Sequence, residues 1–149
     1  MNVNTNKSNV SFEALKIKNL KQWSQKDSYT LNKFLDNEHV QVFSKKYDVK
    51  ADFVEAEVKD YAGEKEQNAR IDLYVKPLNS WFSFAKKITI NKPSPLNNDS
   101  TKEGARELLN NEIDNLDSVT LINKYYQAGG GEKNDYKEAK NKLDIINKG

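Results

Sequence analysis

The chain has 149 residues, 36% hydrophobic and 31% charged, and 24 Lys and Arg against 22 Asp and Glu leave a formal net charge of +2. A chain of this length buries roughly two-thirds of its unfolded surface, enough for one core without staples. The complete absence of cysteine excludes disulfides, thiolate metal sites and cysteine nucleophiles. A charge this close to neutral excludes a domain-wide basic footprint for nucleic acid, and no apolar run approaches the ~18 residues of a membrane span.

Residues 1–9, rich in Asn, Thr, Ser and Lys, read as a flexible leader without the apolar stretch of a signal peptide. Phe12, Leu15 and Ile17 suggest a first strand. A helix is expected over 24–36, capped by Ser24 or Asp27, with Leu31, Phe34 and Leu35 on one face. From Val40 and Val42 onward the period changes to two, which predicts strands. Tyr47, Val49, Ala51 and Phe53 alternate, and Val54, Ala56 and Val58 then take the opposite parity, as a β-bulge would produce. Residues 62–68 read as a hairpin loop, after which Ile71, Leu73 and Val75 continue the sheet. Phe82, Phe84, Ile88 and Ile90 form the last expected strand, with Lys86 interrupting its apolar face.

Pro93-Ser94-Pro95 forces an extended link. Ser100-Thr101-Lys102-Glu103 reads as a capping box for a helix carrying Leu109, Ile113 and Leu116. Asp117 or Ser118 caps a second helix through Ile122, Tyr125 and Tyr126, which Gly129-Gly130-Gly131 ends. A final helix from about 133 carries Tyr136, Ala139, Leu143 and Ile146. The expected fold is α+β: an antiparallel sheet meander packed on one helix, in strand–helix–meander order, with C-terminal helices. The domain organisation expected is a sheet-plus-helix core over 10–92 and a helical appendage of the same domain over 93–149.

The chemistry-bearing residues are few. His39 is the single histidine. With no nucleophile elbow nearby, it reads as a partly exposed strand-edge residue rather than a relay, and a histidine metal site lacks its second ligand. Asn97-Asn98-Asp99-Ser100 has neither the spacing nor the glycine of a calcium loop, and Glu112 and Asp114 diverge on a helix. The triple glycine ends in Glu132-Lys133-Asn134 instead of the Lys-Ser/Thr of a phosphate loop, so it reads as a linker. No cofactor and no metal are expected.

The segment 79–87 interleaves aromatic and basic residues as single-stranded nucleic-acid platforms do, but lacks the Lys/Arg-Gly-Phe start of the RNA-recognition signature. If Phe82 and Phe84 face the core, Trp81 is left outside, where tryptophan suits a protein contact. Tyr125 and Tyr126 project about 100° apart on a helix, so one packs and one faces outward.

The stretches Leu15-Lys16-Ile17-Lys18-Asn19-Leu20, Leu31-Asn32-Lys33-Phe34-Leu35, Asn37-Glu38-His39-Val40, Phe53-Val54-Glu55-Ala56-Glu57-Val58 and Ile88-Thr89-Ile90 carry a family resemblance. Together they make the segment 12–92 resemble the repeated modules of surface lipoproteins in wall-less bacteria. That resemblance implies a strand, a helix and a sheet, together with attachment and host contact, although the lipidated cysteine has no counterpart here. The strand–helix–meander order is also similar to the cystatin arrangement, without its Gln-x-Val-x-Gly inhibitor motif.

The expected function is therefore a non-catalytic protein-binding module, secreted or exposed at the cell surface, with Trp81, Tyr125 and Tyr126 as partner contacts. The first alternative is a nucleic-acid binder using Lys86, Lys87 and Lys92. The second is a small hydrolase built on His39 or scattered carboxylates.

Overall fold

The computed structural model describes residues 15–19, 27–60, 62–78, 80 and 84–131, together with 137, 140 and 141. Most of the expected final helix, together with Trp81 and Phe82, lies outside the described residues. Among the described residues, strands and helices follow in the order β1 (Leu15–Lys18), α1 (Ser28–Asp36), α2 (Glu38–Lys46), β2 (Tyr47–Lys59), β3 (Lys65–Pro77), β4 (Lys86–Ile90), α3 (Lys102–Asp114) and α4 (Ser118–Gln127). The architecture is α+β with C-terminal helices. The sheet order is β1-β2-β3-β4, and the sheet is mixed: β1 runs parallel to β2, while β2–β3 and β3–β4 are antiparallel. The described helices α1 and α2 lie in the long crossover that a parallel pair requires.

The second helix is a departure from the expected strand at Val40 and Val42. Asn37 ends α1 with an extended backbone and begins α2, its side chain accepting from the backbone N–H of His39 and Val40. Val40 and Phe43, three apart, are buried, whereas Val42 is 58% exposed. The period is helical, and the apparent alternation is a coincidence of two valines. The same Asn37 side chain donates to the carbonyls of Ile113 and Leu116, so one amide ties the α1–α2 junction to the end of α3.

The change of parity after Phe53 is not a bulge. The β2–β3 register runs unbroken from Tyr47 opposite Pro77 to Lys59 opposite Lys65. Tyr47, Val49, Ala51 and Phe53 face the core, and Val54, Ala56 and Val58 lie half-buried on the other face. The hairpin loop is also shorter than expected. The Asp60 carboxylate accepts from the backbone N–H of Ala62 and Glu64, and Gly63 at φ 80 makes the turn.

Among the described residues the helices pack on one face of the sheet. That face presents Val49 and Phe53 from β2, Ile71 and Leu73 from β3, and Ile88 and Ile90 from β4, all buried. Phe34 of α1, Leu109 of α3 and Leu121 of α4 lie against it at 0% exposure. The cap of α3 falls one residue later than the expected Ser100: Thr101 Oγ1 accepts from Gly104 N–H at 3.0 Å, and the Asp99 carboxylate accepts from Thr101. Asp117 caps α4 by accepting from Thr120 N–H at 2.8 Å. After α4 the glycines close around an aromatic ring. A Cβ on Gly130 would stand 2.1 Å from Tyr125 Cε1, so only glycine fits.

Candidate functional site

The second face of the sheet carries no described helix. Its far end is covered by the loop after β4. Asn91, at φ 66, donates to the Ala69 carbonyl, and Asn68 donates to the Asn91 carbonyl and to Asn98 Oδ1. Asparagine tolerates this left-handed conformation better than other side chains with a Cβ. Gln67 and Asp99 exchange backbone hydrogen bonds at 2.7 and 2.9 Å, which fixes the loop to the edge of β3.

The near end of this face is polar and banded. Register places Lys16 opposite Lys50, Lys50 opposite Tyr74, and Tyr74 opposite Lys87, so a single row crosses all four strands. All three lysines are exposed and Tyr74 is half-buried. The next row holds Lys18, Asp52, Asp72 and Thr89. Its acids are engaged within the protein. Asp72, 3% exposed, accepts from Arg70 Nε at 3.3 Å and Thr89 Oγ1 at 3.0 Å, and Asp52 accepts from Asn19 Nδ2 at 2.7 Å. Lys18 reaches over the Tyr74 ring, with Nζ 4.9 Å from its centroid. The result is a basic row bordered by hydrogen-bonded acids.

Two of the expected contact residues, Tyr125 and Tyr126, do not share an exposed surface. Trp81 is outside the described residues. Tyr125 is 2% exposed and packs edge-on against Tyr47 at 4.9 Å and Phe43 at 6.3 Å, which removes it from any contact surface. Tyr126, the next residue around the helix, is 43% exposed. Of the three lysines proposed for nucleic acid, Lys87 lies in the basic row. Lys86 has the opposite parity and points toward the end of α4, its Nζ 3.8 Å from where a Gly129 Cβ would sit. Lys92 is exposed beyond the end of β4. Adjacent residues on a strand serve opposite faces, so Lys86 and Lys87 cannot share a ligand on one of them. Phe84 is not a core residue of β4; it precedes the strand and is 89% exposed.

His39 is a helix residue, half-buried, with Nδ1 2.9 Å from Ser118 Oγ. That contact joins the first turns of α2 and α4. A relay would need a carboxylate on the other ring nitrogen to orient the imidazole, and no hydrogen bond between His39 and a carboxylate is present among the described residues. Nor does any group of three or more His, Cys, Asp or Glu among them have a metal-holding arrangement.

Two open grooves are lined by described residues. One, of about 380 Å³, runs between α1 and α3 and includes Tyr29, Lys33, Arg106 and Asp114. Three of its charged side chains, Lys33, Arg106 and Asp114, are engaged in ion pairs within the protein. Lys33 pairs with Asp114, whose carboxylate raises the lysine pKa, and Arg106 reaches Asp27 at 2.6 Å and Glu55 at 2.8 Å. The other groove, of about 300 Å³, lies between Val58, Glu66, Pro93 and Pro95.

No family model, no characterised protein and no solved structure matches the chain. Among the described residues no helix is long and apolar enough to cross a membrane.

Sequence reasoning missed the basic row because its members are 34, 24 and 13 positions apart (50 − 16, 74 − 50, 87 − 74) and meet only through strand register. The local signal that existed was the alternation Lys16-Ile17-Lys18 and Asp48-Val49-Lys50, apolar in and charged out, on strands with one buried face.

Proposed function

We propose that the chain is a non-catalytic protein-binding module, secreted or displayed at a cell surface, and that it meets its partner through the sheet face opposite the helices. The supporting observation is the segregation of the fold: the described helices share one face, while the near end of the other carries exposed charged side chains in register. An antiparallel-rich sheet with one covered face ordinarily presents a solvated second face, so exposure alone carries no argument. What supports binding is the composition of the row. Lys16 and Lys50 stand side by side on the parallel strands β1 and β2, where two exposed like charges repel. A local cost of this kind is understandable where a partner supplies the missing countercharge.

The test is affinity capture from nuclease-treated extracts at physiological salt, using the whole chain and a variant with Lys16, Lys50 and Lys87 changed to Gln. Retention of one protein by the parent chain and its loss by the variant is the expected result. Capture unaffected by the triple change would assign the contact to another surface. Recovery that disappears on nuclease treatment would favour nucleic acid instead.

A further inference from the structure

We infer that the row Lys16–Lys50–Tyr74–Lys87 takes an acidic polypeptide segment laid across the strands, its carboxylates on the three lysines. This rests on the protein-binding reading and names the chemistry of the partner. The first argument is supply of charge. Lys16, Lys50 and Lys87 are exposed and have no ion-pair partner among the described residues, whereas Asp52 and Asp72 beside them are already held by Asn19, Arg70 and Thr89. The row therefore presents uncompensated positive charge to an incoming group, while Asp52, hydrogen-bonded by a neutral amide, keeps its negative charge on the row beside it.

The second argument is spacing. Neighbouring strands lie about 4.8 Å apart, so the row spans roughly 14 Å from β1 to β4. An extended peptide advances about 3.3 Å per residue with alternate side chains on one side. Carboxylates two residues apart recur about every 6.6 Å, within the swing of flexible lysine stems at the two ends of the row.

The third argument separates a polypeptide from a nucleic acid. A single-strand platform works by stacking bases on open aromatic faces. Here the Lys18 ammonium stands over the Tyr74 ring at 4.9 Å, in the place a base would take. The row of Asp52 and Asp72 lies one pleat repeat away and would repel the next phosphates of a continuous polyanion. A peptide can place acids on the lysines and neutral residues beside the aspartates. A phosphate backbone has no such choice.

The experiment is fluorescence anisotropy of the full chain with three labelled probes: a mixed glutamate–alanine peptide with acids at alternate positions, its glutamine counterpart, and an oligothymidylate of matched charge. The variant Lys16→Gln/Lys50→Gln/Lys87→Gln is compared with Lys45→Gln/Lys59→Gln/Lys102→Gln, which removes the same charge from exposed lysines outside the row. The expected result is binding of the glutamate peptide, weakened about tenfold by the row variant and much less by the matched one. The glutamine peptide should not bind. Equal losses from the two variants would overturn the inference, as would thymidylate binding at least as tight as the peptide, or no peptide binding at all. If the glutamate peptide fails while the row variant still abolishes partner capture, the acidic class falls and the protein-binding face stands. If capture itself is indifferent to the row, both fall.

Discussion

Gly130 shows how a single atom decides local structure. Its α-carbon lies against the Tyr125 ring, and a methyl group there would overlap Cε1 at 2.1 Å. Tyr125 is wedged between Phe43 and Tyr47 and has no free direction in which to yield. Gly130→Ala should therefore cost about 1–3 kcal/mol, the usual penalty of overpacking, seen as a lower midpoint in thermal unfolding. Asp99 makes a second residue-scale prediction. Hydrogen bonds from Thr101, backbone first and then hydroxyl, lower its pKa from the ordinary 3.8. A carboxylate with a lowered folded pKa contributes stability above the unfolded value and loses it as the pH falls through the folded one. The stability gap between the parent chain and Asp99→Asn should be full at neutral pH and close progressively below pH 3.8. Melting both proteins across that range measures it. The triple glycine was legible in the sequence as a linker, but its role as a collar around Tyr125 was not, because that depends on which tyrosine turns inward.

Between elements the controlling contact is Arg106. From α3 it reaches Asp27, just ahead of α1, at 2.6 Å and Glu55 of β2 at 2.8 Å. Asp27 is 3% exposed and makes no side-chain cap to α1, so its charge is committed to the ion pair instead of the helix end. Removing one partner of a buried pair leaves the other charged and desolvated. Arg106→Met should destabilise the fold by about 3 kcal/mol, and adding Asp27→Asn should recover much of that loss, since the stranded carboxylate is gone. Denaturant titration of the single and double variants checks it. A simple sum of the two single losses would contradict the coupling. Here the sequence was only half legible. The apolar spacing of Leu31, Phe34 and Leu35 gave α1, and that of Leu109 and Ile113 gave α3, because burial imposes a period that survives in the chain. The pairing of those helices through one arginine depends on contacts some 70 to 80 positions apart that no local pattern encodes, whereas the Asn37 cap of α2 is a local signal that the alternation of Val40 and Val42 obscured.

At the scale of the whole molecule the fold divides its labour between two faces. One side of the sheet holds the apolar core and the described helices, and the near end of the other holds a charged row that contributes nothing to that core. The row is costly where Lys16 meets Lys50. Lys16→Glu should turn that repulsion into attraction and raise stability by at most about 1 kcal/mol, the ceiling for an exposed ion pair, while weakening partner binding. Opposite signs for stability and binding separate a contact residue from a structural one. The direct test of the account is a lysine-acetylation footprint, in which the reactivity of every amine is followed by mass spectrometry with and without the captured partner. The account predicts that Lys16, Lys50 and Lys87 become protected together, while Lys45 and Lys102 on the helical side keep their reactivity. Protection confined to the helical side, with the row as reactive as in the free chain, would contradict it.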